Sequence, residues 1–118
     1  MRKINCIDVV ESVVEEAHNR FSSLFIIDEQ AYNILRQYCG AIDLITDEFN
    51  GVGYDVRIDE TTQNIHIAII CEDVVVYNKG HLFCRLVEKA DKVSISINTD
   101  EDLCMAVEFV FPSIWVKK

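Results

Sequence analysis

Leu103-Cys104-Met105-Ala106-Val107-Glu108-Phe109-Val110-Phe111 is the stretch on which the fold turns, because eight of its nine side chains are apolar. A run of this length without helical spacing reads as a strand buried on both faces. Asp100, Glu101 and Asp102 precede it, and Pro112 follows where a central strand could no longer donate a ladder hydrogen bond. The run is bounded at both ends, so neighbouring segments are read as strands that pair with it or helices that cover it.

Upstream, Val93, Ile95 and Ile97 alternate with Ser94, Ser96 and Asn98, the two-residue period of a strand, with Thr99 to Asp102 as the return. Leu82, Phe83, Leu86, Val87 and Ala90 give a short amphipathic helix after the turn Asn78-Lys79-Gly80. Two further strands are expected at Tyr54, Val56, Ile58 and at Ile65, Ile67, Ile69, Cys71. Between them the polar segment Asp59 to Asn64 has hairpin length, which predicts antiparallel pairing. The second of these is expected to continue through Val74 to Tyr77 after a break at Glu72-Asp73.

The first half is helical by the same test. Ile7, Val10, Val13, Val14, Ala17, Phe21, Leu24 and Phe25 recur at helical steps, leaving Glu11, Glu15, His18 and Asn19 on the solvated side. Phe25-Ile26-Ile27 fits either the end of this helix or a link tucked into the core. Asp28 reads as an N-cap for a second helix, whose stripe is Ala31, Ile34, Leu35, Tyr38, Ile42, Ile45 and Phe49. Glu29, Asn33, Arg36, Gln37, Asp43 and Asp47 fall on its other faces. Gly40 inside it permits a close approach or marks a bend, and Asn50-Gly51-Val52-Gly53 ends it.

The order ααββαββ predicts one α+β domain over residues 1–118: a mainly antiparallel four-stranded sheet with helices packed on one face. Strand order is left open, and the tail Ser113 to Lys118 carries large apolar residues that must lie on something. One sheet face is apolar throughout. The other mixes Asp55, Arg57, His66, Ser94, Ser96 and Glu108 with Ala68, Ile70, Cys104, Ala106 and Val110, the pattern of a face that meets another surface. Ala68, Ile70, Ala106, Val110 and the tail residue Trp115 are therefore the expected interface of a homodimer.

Composition narrows the function classes. A net charge of −9, shared as −5 over residues 1–50 and −4 over residues 51–118, leaves no basic patch for a phosphate backbone, so no nucleic-acid partner is expected. Five cysteines without a Cys-x-x-Cys read as small core residues of a reducing compartment, and His81 with Cys84 lacks a second ligand pair, so no metal is expected. No phosphate loop, dinucleotide fingerprint, nucleophile elbow or His-Glu-x-x-His occurs, and no cofactor is expected. The N-terminus lacks a signal-peptide core and no segment approaches a membrane span, which gives a cytoplasmic expectation.

The expectation is a small acidic non-enzymatic interaction or regulatory module, homodimeric through one sheet face. Two alternatives stand beside it. His66 and Glu108 are the candidates for a proton-transfer pair in a small-molecule cleft, against the plainer reading of a cross-strand ion pair with His66 or Arg57. An acidic inhibitor that imitates nucleic acid and docks on a basic protein is the other.

Overall fold

The computed structural model describes residues 5–48, 51–71, 92–98 and 104–118. Among these residues two helices and six strands follow in the order α1 (Cys6–Phe21), β1 (Phe25–Ile27), α2 (Glu29–Glu48), β2 (Gly51–Ile58), β3 (Ile65–Cys71), β4 (Lys92–Asn98), β5 (Cys104–Phe111) and β6 (Trp115–Lys117). The α+β class and the antiparallel pairing agree with the sequence reading. The helix expected over Leu82–Ala90, the continuation through Val74–Tyr77 and the return Thr99–Asp102 lie outside the described residues. No helix among the described residues is long and apolar enough to cross a membrane.

The strands form two sheets rather than one. The larger has the order β2-β3-β5-β4, and the smaller pairs β1 with β6. Every described pair is antiparallel. Since β3 and β4 each run against β5, they share a direction, which settles an order the sequence leaves open. The apolar run thus supplies an interior strand, paired on both edges, while Ala106 and Glu108 on its second face are only half-buried.

Register sorts the side chains into two faces, because residues directly opposite in a ladder point the same way. One face carries the rows Tyr54, Ile69, Val107, Ile95; then Val56, Ile67, Phe109, Val93; then Ile58, Ile65, Phe111. The helices cover this face. Cys6, Val10, Val14, Ala17 and Phe21 of α1, and Tyr32, Leu35, Cys39, Ile42 and Ile45 of α2, are buried in one cluster with Val56, Ile65, Ile67, Ile69, Val107, Phe109 and Phe111. The steps of three and four between these helical positions place them on one stripe of each helix.

The α2 stripe is offset from the one expected. Ile34 is 43 % exposed, while Tyr32 and Cys39 are buried. The Arg36 guanidinium lies 3.9 Å from the centre of the Tyr32 ring and covers that face of it. Asp28 caps the helix as read, its Oδ1 accepting from the N–H groups of Gln30 at 3.1 Å and Ala31 at 3.3 Å. Gly40 is exposed, and a Cβ there would meet nothing within 4 Å, so no close approach explains it.

Two segments differ from expectation. Phe25-Ile26-Ile27 is neither helix end nor link but strand, with Ile26 opposite Val116 in the small sheet. The tail lies on the core, as its large apolar residues require, and Trp115 is not at the sheet face where it was expected: Ile114 and Trp115 are 2 % and 5 % exposed, and the Trp115 ring meets Phe21 edge-on at 5.3 Å. Pairing with β1 turns the indole into the core, and the backbone bonds Asp28 N–H to Ile114 O (2.8 Å) and Lys118 N–H to Leu24 O (3.0 Å) close the ribbon at both ends.

Candidate functional site

The second face of the large sheet begins from the same registers. Its rows read Arg57, His66, Val110, Lys92; then Asp55, Ala68, Glu108, Ser94; then Gly53, Ile70, Ala106, Ser96. Glu108 is thereby flanked by Ala68 and Ser94, with His66 on the diagonal. The carboxylate uses both oxygens: His66 Nδ1–H donates to Oε1 at 3.2 Å, and Arg57 Nη2 lies 3.6 Å from Oε2. A carboxylate only accepts, so the imidazole carries its hydrogen on Nδ1 whenever Glu108 is ionised.

His66 and Glu108 are well covered, with side-chain exposures of 16 % and 28 %, whereas Arg57 is more than half exposed. The Arg57 contact is therefore screened and worth about 0–1 kcal/mol. As a cross-strand cluster the three residues fix the register of β2, β3 and β5 on this face.

The apolar members of the face divide. Ala68 and Val110 are each 7 % exposed yet stand apart from the core cluster of the covered face, while Ile70 and Ala106 are half-buried. Trp115, expected at the same interface, belongs to the other sheet and to the core, for the reason given above.

A second constellation lies where α1, α2 and β2 meet, and sequence reasoning missed it. Asp43, which the stripe of α2 placed on an outer face, accepts from the Cys6 backbone N–H at 2.9 Å and from the Tyr54 hydroxyl at 2.5 Å, both on Oδ1. The Tyr54 hydroxyl also lies 2.7 Å from Thr46 Oγ1, which donates to Ile42 O at 2.8 Å. Burial, then the neighbouring Asp43, holds the Tyr54 hydroxyl well above the ordinary tyrosine range. Cys6 and Cys39 adjoin this network. The Cys6 thiol is pushed far above its usual value, first by its hydrogen bond toward Cys39 and then by burial. One signal was present in the sequence: a tyrosine opening a strand just after a helix whose last turns carry Asp and Thr.

His18 departs from its expected solvated position. It is half-buried, and its Nδ1 accepts from the Trp115 indole N–H at 3.2 Å. It also borders a cleft of about 310 Å³ between the helices, lined further by Glu11, Glu15, Tyr32 and Arg36. In this cleft Arg36 Nε faces Glu11 Oε1 at 3.6 Å.

A smaller, apolar groove of about 150 Å³ runs between α2 and the end of β5, bordered by Ile34, Tyr38, Phe111 and Pro112. Neither space is lined by His66 or Glu108. Among the described residues no three His, Cys, Asp or Glu side chains group as metal ligands. Comparison of the chain with models of protein families, with curated proteins and with solved structures finds no match.

Proposed function

We propose that the chain is a non-enzymatic interaction module that works as a homodimer joined through the mixed face of its four-stranded sheet. The supporting observation is that, among the described residues, the buried positions of both helices lie in one core with the opposite face, and Ala68 and Val110 stand outside that core. A two-fold contact needs a surface complementary to itself. The row Arg57, His66, Val110 lies next to the row Asp55, Ala68, Glu108, so a copy rotated by half a turn can set basic positions over acidic ones.

The size of the face bounds the affinity. Strands of seven residues span about 23 Å and four of them about 19 Å, giving roughly 440 Å² in plan. Side-chain relief adds to this, yet stable interfaces bury about 800 Å² per partner, so nearly the whole face must take part. Ala68 and Val110 are already covered within one copy. The association therefore draws on Ile70, Ala106 and the charged rows.

Light scattering across a concentration series tests the proposal. The parent should pass from monomer to dimer, Ile70→Lys should remain monomeric with an unchanged circular dichroism spectrum, and Arg57→Glu combined with Glu108→Arg should dimerise better than Arg57→Glu alone. A parent that stays monomeric at every concentration would overturn it.

A further inference from the structure

We infer that Cys6 and Cys39 are a redox-sensitive pair, which oxidation closes into a disulfide tying the first turn of α1 to the middle of α2. Both are free thiols without solvent exposure, and both lie in the core cluster that the two helices share. A solitary buried cysteine behaves as a small hydrophobe. Two held on neighbouring helices in one buried cluster have a second option.

The backbone holds them in that relation. Cys6 is the first residue of α1, and its N–H donates at 2.9 Å to Asp43, one helical turn beyond Cys39 on α2. Asp43 is in turn held by the Tyr54 hydroxyl. The carboxylate thus anchors the start of α1 over the stretch of α2 that carries Cys39.

The closed state protects the pair, because the thiolate is the nucleophile and both sulfurs are shielded from solvent. Access comes from the helix end. Asn5 occupies the N-cap position without a side-chain capping bond, so opening of the first turn of α1 has the Cys6–Asp43 bond to break but no cap from Asn5. On opening, Cys6 loses its proton to solvent and attacks one sulfur of a small disulfide such as oxidised glutathione. One glutathione thiolate leaves, and a mixed disulfide remains on Cys6.

Cys39, deprotonated in the same open state, attacks the Cys6 sulfur and expels the second glutathione. Two protein thiols are oxidised by two electrons in all, and the glutathione disulfide is reduced to two thiols, which take up the two protons released. The reclosed turn then carries a covalent tie in place of an uncapped end. Order at the start of α1 becomes a function of the surrounding thiol–disulfide balance.

The test incubates the full chain in glutathione buffers of graded oxidation, traps thiols by alkylation and maps the peptides. The expected result is an intact mass lower by two hydrogens, a Cys6–Cys39 linkage, an unchanged far-ultraviolet circular dichroism spectrum, slower amide exchange in the first turn of α1, and reversal by dithiothreitol. Cys6→Ala and Cys39→Ala, each checked for native dichroism, should both abolish the linked species. The inference is overturned if Cys6 and Cys39 stay alkylatable after denaturation while the buffer is oxidising, if other pairs or chain-to-chain bridges form instead, or if the linkage appears only when urea is present.

Discussion

Replacing Tyr54 by Phe removes one oxygen from the contact between β2 and α2 and leaves the ring in place. That oxygen donates to Asp43 Oδ1 at 2.5 Å and lies 2.7 Å from Thr46 Oγ1. Neither partner is stripped: Asp43 keeps the Cys6 N–H at 2.9 Å, and Thr46 keeps Ile42 O at 2.8 Å. The loss is then the net value of a hydrogen bond to a charged group, about 1.5–3 kcal/mol, rather than the larger cost of an orphaned buried charge. At about 4 °C per kcal/mol for a chain of this size, 2 kcal/mol lowers the melting temperature by about 8 °C.

Urea unfolding at neutral pH measures this directly, and an alkaline series adds a second signature. The folded hydroxyl titrates above the ordinary value of 10.0, so past that pH the unfolded tyrosine ionises while the folded one stays neutral. The stabilisation is present in full below pH 10.0 and is lost as pH rises toward the folded value. Phe cannot titrate. The deficit of the variant should therefore narrow above pH 10.0, by up to about 1.4 kcal/mol per pH unit. A neutral-pH loss below about 0.5 kcal/mol, or a deficit that stays constant through the alkaline range, would refute the reasoning.

Gly40→Ala should raise stability by about 0.5–1 kcal/mol in urea unfolding, since the position is exposed in α2 and a Cβ meets nothing within 4 Å; a loss would show that something requires the glycine. Asp28→Ala removes the acceptor for two N–H groups of the first turn of α2 and should cost about 1 kcal/mol, most of it restored by Asp28→Asn. His18→Leu leaves the Trp115 indole N–H without its acceptor and should cost about 1–3 kcal/mol. Because Trp115 is the sole tryptophan of the sequence, its emission reports the site, and an unchanged spectrum would contradict the assigned bond.

The hairpin of β2 and β3 was legible because each strand alternates over enough residues to show its period and the loop between them is short and polar. Asp59 adds local support there, its Oδ1 accepting from the N–H groups of Thr61 and Thr62. The position of Glu108 beside His66 and Arg57 followed from the same alternation once the neighbours of β5 were known. Phe25-Ile26-Ile27 could not be read this way. Three consecutive apolar residues carry no period, and what makes them a strand is Trp115–Lys117, at the other end of the described chain.

Asp43 and His18 were misplaced for a related reason. A helical stripe sorts residues by hydrophobicity, and a polar side chain that turns inward to meet a partner on another element is assigned to solvent by default. Tyr54 and Trp115, which satisfy them, lie on strands whose packing the stripe does not encode.

The place of β5 between β3 and β4 carries a consequence for synthesis. A ribosome delivers the outer strands first and the one that joins them afterwards. Until residues 104–111 have emerged, the second edge of Ile65–Cys71 and the Lys92–Asn98 segment both lack the strand that pairs with them among the described residues. Open edges of that kind invite pairing between chains. The large sheet is therefore completed only after β5 has emerged, and a slow codon between residues 98 and 104 would prolong the interval in which the growing chain is open to aggregation.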